Sequence, residues 1–395
     1  MLSQILGREQ SLFHSDWSKH EKNIRNVLSG QRVLIIGAAG SIGGAFTKLI
    51  AEFPVKSLHL VDLSENNLAE TVRDLRSSNL KLPEDFKTFA ISFDGPEFDA
   101  YLKAEKPFDF VLNFCALKHV RSERDPFSLL RLLRVNVTSN NNMLNVLAHK
   151  RIKRVFAVSS DKAVAPASLM GASKAFMERV FLVRGDEFHF NSARFANVAF
   201  SDGSLLHGFN QRIQKRQPLS APNDVRRFFI THLEAAQLCL LAFALGERNE
   251  IFHPRLDPAE DLKSFADIAD IFLDERGLNP VHCDNEADAR DWFVRNPDST
   301  DQWPCLFSSS NTSGEKMYEE FVGAGEETDE RRFASVGVVS RPASADPKTV
   351  QVALERLAAI SCKPIWEKAE LVDIVKLVVP ELAHVETYQN LDQKM

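Results

Sequence analysis

Short apolar runs alternate with segments of helical period through the first 245 residues. Gln31 to Ile36, Ser57 to Asp62, Phe86 to Ser92, Phe108 to Phe114, Val155 to Val158 and His189 to Phe195 have the length and the apolar content of buried strands. Between them, segments ending near Phe53 and spanning Pro126 to His149 and Ser168 to Val183 carry apolar residues at helical spacing, and Pro126 sits where a first helical turn tolerates it. Such alternation predicts an α/β fold with a doubly wound parallel sheet. Residues 1–30 read as a helical preface. After about Gly246 the alternation ends: Glu250 to His253 adds a last strand, Asp284 to Trp303 reads as acidic and irregular, and Arg341 to Met395 as a small helical tail. The expected organisation is therefore an N-terminal extension (1–30), an alternating strand-and-helix domain (31–245) and a smaller C-terminal α+β part (246–395).

The first strand runs directly into Gly37-Ala38-Ala39-Gly40-Ser41-Ile42-Gly43 and then into a helix. Strand, glycine turn and helix in this order form the context of a Rossmann-type dinucleotide site. A turn without side chains lets the backbone approach a pyrophosphate, and the helix N-terminus offers it free N–H groups and partial positive charge. The second strand ends in Asp62, about twenty residues past the last glycine, where a carboxylate accepts hydrogen bonds from the adenosine ribose and repels a 2′-phosphate. No Arg or Lys follows until Arg73, so the expected cofactor is NAD rather than NADP.

Ser159-Ser160-Asp161-Lys162 follows the Val155–Val158 strand, in the crevice beyond the strand ends where ligands of such sheets lie. A plain turn also uses Ser-Asp pairs to satisfy backbone donors. Four residues separate Met170 from Lys174, which places both on one helix face. A short-chain dehydrogenase/reductase would carry Tyr-x-x-x-Lys at this point. A thioether cannot take a proton from a hydroxyl, so Asp161 and Lys162 are left as the candidate acid/base groups.

The run Asp161 to Lys174 resembles the D-K-A-x-x-P-x-x-x-M-G-x-x-K stretch of nucleotide-sugar 4,6-dehydratases, an extended branch of the short-chain dehydrogenase/reductase superfamily, of the UDP-N-acetylglucosamine 4,6-dehydratase type, with Met in place of the active-site Tyr. The likeness spans roughly Val33 to Leu241. It implies NAD-dependent loss of water from a nucleotide-diphosphate sugar, a UDP-linked N-acetylhexosamine, to a 4-keto-6-deoxy product in polysaccharide or glycan synthesis. By the same resemblance Ser160 orients the nicotinamide or the 4-hydroxyl and Lys174 holds the nicotinamide ribose. Asp94 lies at the adenine, and Ala116, Lys118 and His119, in a loop like the family's A-A-L-K-H-V, lie beside cofactor and sugar. Asn136 matches a position that holds the active-site loop. Asn197 and Arg227 match the diphosphate-binding asparagine and arginine, and Glu315 falls in an echo of R-P-G-E-K-x-x-E-E, a nucleotide contact. Ala196 for glycine and Thr312-Ser313 for Arg-Pro depart from the pattern. The 126–149 and 168–183 helices pack subunits together in relatives, which implies a homo-oligomer.

Composition narrows the partners. At 44% hydrophobic and 26% charged residues with a net charge of −6, the chain has no strong basic block and does not suggest nucleic acid as a partner. Its longest apolar runs are shorter than a membrane span, and the first residues lack signal-peptide order, so a cytoplasmic location is expected. Five widely spaced cysteines form neither a pair motif nor a metal cluster, and no metal is expected. Two other functions remain open: a nucleotide-sugar 4-epimerase, which needs the ketone but no elimination, and a non-catalytic NAD-binding regulator.

Overall fold

The computed structural model describes residues 2–309, 316 and 318–384. Helices α1 (Leu2–Leu6) and α2 (His14–Leu28) precede the first strand. The chain then runs through β1 (Arg32–Ile36), α3 (Ser41–Ile50), β2 (Ser57–Asp62), α4 (Glu65–Ser77), β3 (Asp85–Ala90), α5 (Pro96–Ala104) and β4 (Phe110–Asn113). Helices α6 (Pro126–Leu133) and α7 (Ser139–Leu147) are joined by a π-helical turn at Arg134–Thr138 and lead to β5 (Arg154–Ser160), α8 (Leu169–Leu182) and β6 (Phe190–Phe195). Next come β7 (Asn197–Val198), α9 (Leu205–Gln214), β8 (Leu219–Pro222), β9 (Arg226–Ile230), α10 (His232–Leu245) and β10 (Glu250–Pro254). The remainder forms β11 (Leu262–Ser264), α11 (Phe265–Asp274), β12 (Asn279–His282), α12 (Glu286–Arg295), β13 (Gln302–Ser308), β14 (Glu327–Asp329), β15 (Val336–Arg341), α13 (Pro347–Ser361) and α14 (Lys368–Val378).

Nine strands make the central sheet in the order β14-β15-β10-β6-β5-β4-β1-β2-β3. Seven run parallel, and β15 and β14 close one edge antiparallel. β1 pairs with β2 on one side and β4 on the other, so the direction of winding reverses there and opens a crevice at the carboxyl ends of β1 and β4. Val33 to Ile36 and Phe110 to Asn113 are buried throughout, as strands covered by helices on both faces must be, which is why they read as unbroken apolar runs. The fold is the doubly wound Rossmann-type α/β class.

Three features differ from the sequence expectation. Residues 284–303 are not irregular: Asn285 caps α12 by accepting from the Asp288 N–H, Ala289 and Trp292 turn inward, and β13 pairs parallel with β12 and β8. Acidic residues on the exposed face of this short helix hide its period. The helix expected over 126–149 is interrupted at Asn136. The Asn136 amide donates to Leu117 O and accepts from Leu117 N–H, each at 2.9 Å, and the local widening of the helix leaves it free to reach that loop. The strand expected at 250–253 is present as β10, but it is not the last, since β15 and β14 continue the sheet beyond it.

Both chain ends fold back on this frame. Arg8 pairs with Glu234 at the start of α10, and the Asp16 carboxylate accepts from the N–H groups of Ala334 and Ser335. Leu371, Ile374, Val375 and Val378 of α14 are buried in the core cluster that contains α6 and α8. Ala383 N–H donates to Pro166 O at 3.0 Å.

Arg194 of β6 binds both oxygens of Glu178 in α8 and both of Glu326, at 2.6 to 2.9 Å. All three side chains are at most 3% exposed. Burial opposes the charge on Arg194, but the two carboxylates outweigh it and raise its pKa above the ordinary value. Burial likewise opposes charge on Glu326, and Arg194 overrides it, holding Glu326 below the usual glutamate range. A depressed carboxylate pKa contributes stability that is present above its unfolded value, about 4.3, and is lost as pH falls through the folded value. Arg194→Met leaves two buried carboxylates unpaired and is expected to cost ~3–5 kcal/mol in urea unfolding at pH 7, with a weaker loss of stability on acidification than in the unaltered protein. A cost under about 1 kcal/mol would show that the triad does not hold the fold together.

A candidate active site at the carboxyl ends of the central strands

Beyond β1, β4 and β5 lies a cleft of about 550 Å³. One wall is the glycine turn. Gly37 has φ +73°, and a Cβ there would stand 2.7 Å from Cys115 N; a Cβ on Gly43 would stand 1.9 Å from Gly37 O. Both positions therefore require glycine, and Gly40, Ser41, Ile42 and Gly43 face the cleft. No side chain caps the N-terminus of α3, so its first N–H groups remain available to an anion. Asp62, at the end of β2, accepts from Ala39 N–H and Ser64 N–H, both at 2.9 Å, which fixes its carboxylate beside the turn.

The opposite wall is the turn after β5. Ser160 starts a 3-10 turn at Asp161–Ala163. Asp161 is 1% exposed, and its Oδ1 accepts from Ser160 Oγ (2.7 Å), Lys162 N (2.8 Å) and Lys162 Nζ (3.1 Å). The turn is held from outside: Ala165 has φ +39°, a costly conformation for a side-chain-bearing residue, and its neighbours Val164 and Pro166 give their carbonyls to Lys316 Nζ and Ala383 N. A Cβ at Gly171 would stand 2.2 Å from Lys162 O, so α8 packs directly under the turn only because that residue is glycine.

Met170 and Lys174 of α8 both line the cleft. Met170 N–H donates to Glu123 Oε1 at 2.7 Å. Lys174 donates to Val158 O at 3.0 Å. Burial lowers the Lys174 pKa to about 8, with Glu178 and Cys115 opposing the shift. Ser173, one residue before it, accepts from the Asn136 amide at 2.8 Å, so the π-helical turn ties the Leu117 loop to α8. That loop contributes Ala116, Lys118 and His119 to the cleft. Burial lowers the pKa of Lys118, with Asp202 opposing; burial, followed by Lys118 and Arg121, lowers that of His119.

Asn197 lines the cleft from β7 and donates to Phe228 O at 3.4 Å. Four candidate residues are not among those that line the cleft: Gly37 and Asp62, which shape the glycine turn, Asp94 and Arg227. Asp94 is paired with Arg134 at 3.0 Å, and Arg227 is buried and donates to Lys316 O at 2.9 Å. Glu315 lies outside the described residues. Sequence reasoning gave no site role to Ser201, which accepts from Lys118 Nζ at 3.4 Å, or to Gly203, where a Cβ would stand 2.7 Å from the His119 ring. It also missed Glu178, which accepts from Ser159 Oγ at 2.5 Å. Phe200, just before that loop, has φ +60°, and Asp202 N–H reaches Ser41 Oγ at 2.9 Å, so the loop closes over the glycine turn.

The chain is similar to several known proteins. It is 29% identical to an uncharacterized membrane protein of Methanocaldococcus jannaschii over 76% of this chain and 83% of that one, and 29% identical to the probable polysaccharide biosynthesis protein EpsC of Bacillus subtilis over 80% of this chain. It spans about half (49%) of the Bacillus protein's length. It is 24% identical to an inverting UDP-N-acetylglucosamine 4,6-dehydratase of Campylobacter jejuni (58% and 68% covered) and 26% identical to a UDP-glucose 4-epimerase of Rickettsia bellii (59% and 68%). The fold matches that of a dTDP-glucose 4,6-dehydratase from Streptomyces venezuelae solved with NAD, with a TM-score of 0.57 at 17% identity over 86% of this chain and 99% of that one. Among the described residues no helix is long and apolar enough to cross a membrane. Residues 33–341 match the polysaccharide biosynthesis protein family, and the chain belongs to that family.

Proposed function

We propose that the protein is an NAD-dependent 4,6-dehydratase of a nucleotide-diphosphate sugar, with a UDP-linked N-acetylhexosamine as substrate and a 4-keto-6-deoxy sugar as product. The observation that carries this reading is the Asp161–Lys162 pair, 3.1 Å apart, in the same cleft as the glycine turn and Lys174, with a thioether where a hydroxyl acid/base would stand.

The residues present fit NAD. The side-chain-free turn and the uncapped α3 N-terminus suit a pyrophosphate, and Asp62 suits an adenosine ribose without a 2′-phosphate. Lys174 suits the nicotinamide ribose. When bound, NAD supplies reversible hydride removal at sugar carbon 4 and hydride return at carbon 6. The protein's own groups move the protons. Asp161 accepts the 4-hydroxyl proton. Lys162, as its free amine, takes the proton from carbon 5, which the new ketone has made acidic. Asp161 then gives its proton to the departing 6-hydroxyl, which leaves as water, and the Lys162 ammonium returns a proton to carbon 5 as carbon 6 is reduced. Ser160 fixes the orientation of Asp161, and Lys118, His119 and Asn197 lie where the sugar diphosphate would enter. Burial that disfavours charge on Lys118 makes an anionic ligand there more stabilising.

A 4-epimerase would need only the first of these proton transfers, and the UDP-glucose 4-epimerase likeness keeps that reading in play. Incubation with NAD and UDP- or GDP-linked sugars separates the two by mass: the dehydratase product is lighter by one water, whereas an epimer has unchanged mass.

Asp161→Asn and Lys162→Met are each expected to lower turnover by ~10²–10⁴ while NAD still binds. Unaltered turnover would point instead to a non-catalytic NAD-binding protein. Lys174→Met separates cofactor binding from stability. With a folded pKa of about 8 against an ordinary value of about 10.4, the unfolded chain binds more protons in the interval, so stability rises with pH through it and the buried ammonium is destabilising below it. The variant is expected to show a higher thermal midpoint than the unaltered protein at pH 7 without cofactor, to lose the rise between pH 8 and 10, and to bind NAD at least about tenfold more weakly. Calorimetric scans and NAD titration read the two effects separately.

A further inference from the structure

Beside the catalytic pair lies a buried acid that the proposed reaction does not use. Glu319 is 5% exposed, and its Oε1 stands 3.8 Å from Lys162 Nζ. Lys162 thus has one carboxylate from its own turn and a second brought in from the segment before β14. The other Glu319 oxygen, Oε2, is 3.6 Å from Lys316 Nζ and makes no hydrogen bond among the described residues. Lys316 is itself fixed at both ends, since its Nζ donates to Val164 O of the catalytic turn and its carbonyl accepts from Arg227, each at 2.9 Å. A buried carboxylate held at these distances, with an open lone pair, is poor value as a structural ion pair, because desolvation is not repaid by hydrogen bonds. Its placement suits proton traffic instead.

We propose that Glu319 is a positioning residue that acts through Lys162; the proposal rests on the dehydratase reading above. It holds the lysine ammonium at a fixed place beside Asp161. When an amine is needed at carbon 5, it receives that ammonium's proton. An N–H bond breaks and an O–H bond forms, leaving a neutral amine and a neutral carboxyl, so the net charge of the buried cluster does not change. Lys316 keeps Glu319 aimed at Lys162. Because the Lys316 carbonyl also accepts from Arg227, the segment that carries Glu319 is joined to β9 as well as to the catalytic turn.

The test compares Glu319→Gln, Glu319→Asp, Lys162→Met and the Lys162→Met/Glu319→Gln double variant, with NAD affinity and thermal midpoint followed in each. Glu319→Gln is expected to lower kcat about tenfold or more with KM changed less than about threefold, and to recover turnover as pH is raised from 7 to 9.5, since solvent base then replaces the lost acceptor. Glu319→Asp keeps an acceptor and is expected to retain the pH profile of the unaltered protein. In the Lys162→Met background the glutamine change should have no further effect on the residual rate. The role is overturned if Glu319→Gln stays within about twofold of the unaltered rate, if its loss is not rescued by pH, or if it lowers the residual rate of Lys162→Met equally. Failure of the dehydratase reading shows separately, as an unaltered protein that binds NAD but removes no water from any sugar tested, and the role of Glu319 falls with it.

Discussion

Arg194 is the joint on which the rest of the site depends. Its guanidinium sits in the sheet and binds Glu178 from the helix that carries Met170 and Lys174, and Glu326 from the segment that follows Glu319. Glu178 also accepts from Ser159, the residue next to Ser160 at the end of β5. One buried cation therefore fixes three pieces relative to one another: the carboxyl end of β5, the helix α8, and the returning C-terminal segment. Charges removed from water are tolerated only when paired and hydrogen-bonded, and such a triad admits few alternative arrangements.

The fold itself does not choose a reaction. Similar folds belong to proteins named as dehydratases and as epimerases, and chemistry is decided by which side chains stand at the mouth of the sheet. Here that mouth offers a carboxylate and an amine in direct contact, with a thioether one helix turn from the buried lysine. An apolar sulfur in that place cannot compete for the proton, which is why the proposed dehydratase reading gives acid and base work to residues 161 and 162.

Much of this was legible in the chain because the physical demands are local. Gly37, Gly40 and Gly43 must lack side chains at fixed spacing, and Met170 and Lys174 must be a helix turn apart; a linear reading finds both. Asp161 and Lys162 stand out because they follow an apolar strand directly. Glu178 and Glu123 were invisible for the opposite reason, and Glu319, though it falls in the echo of R-P-G-E-K-x-x-E-E, stood out for no role of its own. Each reaches the site from a distant element, and in sequence a buried glutamate looks like a solvated one. The π-helical turn was hidden too, since widening a helix by one residue shifts its phase without changing its composition. α12 was lost among acidic residues whose apolar partners, Ala289 and Trp292, are few.

The packing of α14 bears on assembly. Every residue from Leu169 to Phe181 is already buried within a single chain, and the tail lies across α8 and the start of α6, with Arg179 bound to Val378 O and Glu381 and the Trp366 indole donating to Pro126 O. Of the two helical segments expected to meet a second copy, α8 is thus covered within the single chain, whereas α6 keeps Phe127 exposed. A second copy could reach α8 only by displacing that cover, so any contact made without such a rearrangement has to use other surfaces.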